Sequence, residues 1–108
     1  MRSLADGSAA MDAREWREFW RERGMRELQL VLSTSWDPLG ATPPGEYDAC
    51  AFRVASLLGS RASRKALADE LGRLRREKLG EDADPERDAY AAEKIADWFE
   101  HTIGKRAA

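Results

Sequence analysis

Apolar residues recur along this chain at steps of three and four, and each run is closed by a glycine or a proline. In the first run Trp16, Phe19, Trp20 and Arg23 share one stripe, Gly24 interrupts it, and Leu28, Val31 and Leu32 resume it as far as Trp36. Asp12 is placed as an N-cap, with Glu15 three residues on as its capping-box partner. The stripe therefore predicts either one long helix with a weak point at Gly24 or two helices split there, since glycine costs about 1 kcal/mol in a helix interior. Pro38, Pro43 and Pro44, with glycines between and after them, forbid helix over 37–45.

Pro44 can occupy the first turn of the next helix, whose inward residues are Tyr47, Cys50 or Ala51, Val54, Leu57 and Leu58, with Gly59 at its end. Ser63 caps a third helix that carries Leu67, Leu71, Leu74 and Leu79 inward and closes at Gly80. Asp84-Pro85 opens a fourth, lined by Ala89, Ala92, Ile95, Ala96, Phe99 and Ile103 and ended by Gly104, with Trp98 at the edge of that face. No window alternates apolar and polar residues over a strand's length. The expectation is an all-α fold: a compact bundle of four helices, or five if the first divides. Residues 11–108 form a single helical domain, and residues 1–10 are expected to be a mobile N-terminal tail.

Composition supports that picture. The chain has 108 residues, 43% apolar and 35% charged, enough for one modest core between solvated helix faces. No apolar run approaches a membrane span, and the first ten residues lack the apolar stretch of a secretory signal. A single cysteine, Cys50, fits a reducing cytoplasm, and the expected location is cytoplasmic. The net charge of −2 hides an uneven distribution: residues 61–78 hold seven basic and three acidic side chains, and residues 81–100 eight acidic and two basic. The third and fourth helices are thus expected to attract each other along their flanks.

The candidate chemistry concentrates at Trp36-Asp37-Pro38-Leu39-Gly40 and Glu46-Tyr47-Asp48. Structurally, Trp36 buries its ring beneath the loop, Asp37 accepts from loop N–H groups, and Glu46 and Asp48 sit at the positive end of a helix dipole. Functionally, Asp37, Glu46 and Asp48 are the one acid constellation that merits testing against Mg²⁺ or Ca²⁺, although their spacing matches no EF-hand and no metal or other cofactor is expected. His101 lies near a helix C-terminus, and Cys50 reads as a small buried thiol, so no catalytic set emerges and the protein is read as no enzyme. Arg61, Arg64, Lys65, Arg73, Arg75, Arg76 and Lys78 cluster in sequence but spread around their helix without an aromatic among them, which makes nucleic acid a minor reading.

The pattern W-D-P-apolar-G, a short proline-containing gap and then E-Y-D resembles a family of small, uncharacterised bacterial all-helical proteins. The resemblance runs from Leu28 to Leu79, about half the chain, and rests on Trp36, Asp37, Pro38, Leu39, Gly40, Pro44, Glu46, Tyr47, Asp48, Leu67, Leu71 and the Leu79-Gly80 helix end. Leu39 stands where the family pattern has isoleucine, and the Trp16/Phe19/Trp20 helix is an extension. By analogy, small acidic helical bacterial proteins of this type act as immunity proteins beside toxin genes. That implies a protein-binding module that masks a cognate effector, with a toxin as its partner. The partner-binding candidates are Trp36, Asp37, Glu46, Asp48, Glu81, Asp82, Asp84, Trp16 and Trp20. Trp16 and Trp20 share a face that either packs on the rest of the domain or pairs with a second copy, which makes a homo-oligomeric adaptor the alternative and a homodimer its simplest form.

Overall fold

The computed structural model describes residues 12–37 and 44–107, with the side chains of 44–47 and 104–107 outside the description. The described residues are helical throughout apart from the connections, and no strand occurs among them. The chain forms α1 (Ala13–Phe19), a π turn (Trp20–Gly24), α2 (Met25–Ser35), α3 (Pro44–Gly59), α4 (Arg64–Leu74), a second π turn (Arg75–Leu79) and α5 (Pro85–Ala107). Because α1, the first π turn and α2 are continuous, the described residues form a bundle of four rods. The α5 rod packs against both α4 and α2, and α2 also packs on α3.

Local chemistry sets most of the boundaries. The Asp12 side chain accepts from the Glu15 N–H at 2.8 Å while Glu15 Oε1 accepts from the Asp12 N–H at 3.1 Å, the reciprocal capping box expected there. Ser63 Oγ accepts from the Ala66 N–H at 3.0 Å, and Asp84 Oδ1 from the Arg87 N–H at 3.1 Å one residue before Pro85. Gly80 takes a left-handed φ of 66° and closes the second π turn by donating to the Arg75 carbonyl.

Gly24 does not break the first rod. The rings of Phe19 and Trp20 fold over it so closely that a Cβ there would stand 2.6 Å from Phe19 Cε2 and 2.8 Å from Trp20 Cε3. The π turn carries one more residue than an α turn, so the buried positions run Phe19, Gly24, Leu28, Leu32, with a five-residue first step. Arg23, expected on the inward stripe, consequently points out, and Gly24 takes the inward place.

The core gathers Leu28, Leu32, Trp36, Cys50, Ala51, Val54, Leu58, Leu67, Leu71, Leu74, Ala91, Ala92, Ile95 and Ala96. Ala89, expected to line α5, is exposed; the stripe there runs through Asp88, Ala91, Ala92 and Ile95 instead. The α5 helix also continues past Gly104 to Ala107. One glycine costs about 1 kcal/mol but does not forbid helix. The expected tail, residues 1–10, lies outside the described residues, as do Pro38, Leu39 and Gly40.

Candidate functional site

One end of the bundle is organised by a buried ion pair. Asp88 lies on the apolar stripe of α5 and Arg75 opens the second π turn; they are 4% and 5% exposed. Arg75 Nε donates to Asp88 Oδ1 at 3.0 Å, and the indole Nε1 of Trp36 donates to the same oxygen at 2.9 Å. A second arm of the guanidinium reaches Glu81 Oε1 at 2.8 Å, and its plane lies 5.3 Å from the Trp36 ring centroid. Gly72 leaves room for the carboxylate, since a Cβ there would stand 3.2 Å from Asp88 Oδ2. Arg87 Nη1 donates to the Ser35 carbonyl at 3.3 Å, which satisfies one of the last acceptors of α2. These contacts join the end of α2, the end of α4 and the start of α5 at a single point.

The sequence candidates divide accordingly. Trp36 and Asp37 are buried, and Trp36 is committed to Asp88 and Arg75; the pair faces the interior, so neither side chain offers a partner a surface. Glu81 holds Arg75, and Asp84 caps α5. Asp82 and Asp84 are exposed on the connection ahead of α5. Asp48 is exposed and accepts from Gln29 Nε2 at 2.9 Å, which ties α3 to α2, while the Glu46 side chain lies outside the described residues. Of the proposed oxygen ligands, Asp37 is thus internal and Asp48 external, and no group of three metal-ligating side chains occurs among the described residues.

Trp16 and Trp20 pack on the protein itself. Trp16 meets Phe99 edge-on at 5.8 Å, Trp20 stacks on Phe99 at 6.2 Å, and Trp98 and Phe19 complete the cluster. Trp98 Nε1 donates to Glu27 Oε1 at 2.9 Å. Three cations of the basic segment are likewise engaged within the protein. Arg64 reaches Glu93, Asp97 and Glu100, Lys65 pairs with Asp69, and Arg73 bridges Glu70 and Glu77. Arg53 also reaches Glu70 at 2.9 Å. Hydrogen bonds from Arg73 first, and from Arg53, hold the Glu70 carboxyl below its ordinary range, and the Arg64 guanidinium is pushed up chiefly by its hydrogen bond to Asp97.

Between the last turn of α2 and the start of α5 lies a depression of about 470 Å³ lined by Thr34, Asp84, Glu86, Arg87 and Tyr90. Tyr90 is 50% exposed, which is unusual for a large ring, with Lys94 Nζ at 5.3 Å and Arg87 Cζ at 6.0 Å from its centroid. Sequence reasoning missed Tyr90 as a surface residue and Asp88 as a buried acid. The signal for Asp88 was present, because it lies three, four and seven residues before Ala91, Ala92 and Ile95 on an otherwise apolar stripe. Among the described residues no helix is long and apolar enough to cross a membrane. Comparison with protein-family models, curated proteins and solved structures finds no match for this chain.

Proposed function

We propose that this protein is a non-catalytic, cytoplasmic protein-binding module of the immunity or antitoxin type, which binds a cognate bacterial effector and masks it. The observation that carries the reading is the half-exposed Tyr90 set beside Asp84 and Glu86 near the start of α5, the helix that the Arg75–Asp88–Trp36 network ties to the ends of α2 and α4. An aromatic anchor within a charged rim is the arrangement that concentrates binding energy in protein interfaces. Asp84 and Glu86 are exposed beside it, which favours a basic partner and speeds its approach. The W-D-P-x-G and E-Y-D resemblance is consistent with this assignment and is itself part of the proposal.

A tagged pull-down from the native host, with mass spectrometry of what accompanies the protein, tests the reading when run beside Tyr90→Ala and Glu86→Arg. One stoichiometric partner with a catalytic domain, retained by the unaltered protein and lost by both variants, is expected. A partner that both variants retain removes the Tyr90 surface from the interface, and recovery of the protein alone rejects the masking role.

A second reading, self-association as a structural or adaptor protein, draws on Leu30 and Phe52, which are 64% and 67% exposed on α2 and α3. Light scattering at micromolar concentration decides it, because a monomer excludes a stable homo-oligomer.

A further inference from the structure

A groove of about 500 Å³ lies between the end of α3, the turn that follows it and the later half of α5, about 14 Å along α5 from Tyr90. Its floor is apolar: Leu58, Leu67 and Ala96 are buried beneath it, and Phe99 is held from behind by Trp16 and Trp20. Charges of both signs line it. Glu100 borders it on α5 and forms a ridge with Glu93 and Asp97; among the described residues these three acids share Arg64, so the ridge keeps an excess of negative charge. Arg61 lines the groove from the turn after α3, and its guanidinium makes no ion pair or hydrogen bond among the described residues.

Arg61 is also the residue whose backbone fits its place least well. The α3 helix ends in a Schellman turn, with the Ala62 N–H bonded to the Leu57 carbonyl at 3.0 Å and the Arg61 N–H to the Leu58 carbonyl at 3.1 Å. That turn requires a left-handed residue at position 61, where Arg61 has φ 60°. Glycine is the ordinary occupant, because a Cβ is disfavoured in this conformation. An arginine therefore sits where the fold would be better served by glycine, and its free charge lies at the mouth of an apolar groove.

We infer that this groove binds a short segment of a partner polypeptide in which an apolar side chain is flanked by a carboxylate on one side and a basic residue on the other. The apolar side chain covers Leu58, Leu67, Ala96 and Phe99, the carboxylate meets Arg61, and the basic residue meets the Glu93–Asp97–Glu100 ridge. The inference draws on groups separate from the Tyr90 surface and stands or falls apart from it.

The test is selection of a phage-displayed library of random twelve-residue peptides on the full chain. Anisotropy measurements then follow for the enriched peptides on the unaltered protein, Arg61→Gly, Arg61→Glu and Tyr90→Ala. The expected peptides carry an apolar residue with Asp or Glu to one side and Lys or Arg to the other. Arg61→Gly is expected to weaken them about five-fold, as one exposed charge pair lost, and Arg61→Glu further, with Tyr90→Ala neutral. The same Arg61→Gly protein should melt several degrees higher, which separates lost binding from lost folding. The inference is overturned if no peptide is enriched, if enriched peptides lack the flanking acid, if Arg61→Gly binds them unchanged, or if its melting temperature falls.

Discussion

Asp88→Asn keeps the shape of a buried side chain and removes its charge, which makes it the most direct probe of the polar network. Asp88 Oδ1 receives both the Trp36 indole and Arg75, so the amide can still accept there while its NH₂ replaces the oxygen that Gly72 accommodates. Arg75, 5% exposed, keeps Glu81 as its one charged partner among the described residues. Breaking a buried pair by removing one partner costs about 3–5 kcal/mol, and the surviving Glu81 contact places this variant near the lower end, about 3 kcal/mol. With a urea slope of roughly 1.5 kcal/mol/M for a domain of this size, the unfolding midpoint should fall by about 2 M. Urea titration at pH 7 followed by tryptophan emission reports it, and an unchanged slope confirms that the folded state remains compact. A double variant, Arg75→Met with Asp88→Leu, is expected to recover much of the loss, because no charge then remains buried. A loss below about 1 kcal/mol in Asp88→Asn refutes the reasoning, since it would mean that Arg75 is not desolvated.

Three further outcomes follow from the geometry. Gly24→Ala gains about 1 kcal/mol in helix propensity and loses about 1–3 kcal/mol to crowding against Phe19 and Trp20, so its melting temperature should fall; a rise would show that the rings move aside freely. Glu70 has its folded-state pKa depressed by Arg73 and Arg53, so its contribution is complete above its ordinary 4.5 and is lost as pH falls through the lower folded value. The stability difference between the unaltered protein and Glu70→Gln should therefore be steady from pH 7 to about 5 and shrink in urea titrations at pH 4 and 3; a difference that grows on acidification rejects the assignment. Asp12→Ala, which removes the first cap, should cost about 1 kcal/mol by thermal circular dichroism, and no change would show that the capping box contributes nothing in solution.

Much of the fold could be read from the chain because its helix boundaries are set by local chemistry. Asp12, Ser63 and Asp84-Pro85 begin helices and Gly80 ends one, for reasons contained within a few residues of each. Two matters depended on distant partners and were not legible. The inward or outward fate of Arg23 follows from an extra residue in the turn, which depends on where Phe19 and Trp20 find Phe99 and Trp98. The role of Trp36 follows from Asp88, which is 52 residues away. For the same reason the W-D-P segment drew attention as a surface when its tryptophan and aspartate are internal, while Tyr90 and Arg61, whose interest lies in exposure and backbone angle, left no mark in a hydrophobicity pattern.

The π turn between Trp20 and Gly24 bears on how this chain tolerates changes of length. In the register of the rod it acts as a single inserted residue absorbed without a break. Loss of one residue from that turn would restore ordinary α spacing between Phe19 and Leu28 and leave the helices on both sides in the same register. Trp16 and Phe19 would still face the rings they now meet on α5. The same loss within α2 would instead rotate everything ahead of it by about 100°. The turn is thus the one stretch of the first rod where a chain one residue shorter could keep its aromatic face, and an alignment with such a chain pairs like-facing side chains when the gap is placed in the turn.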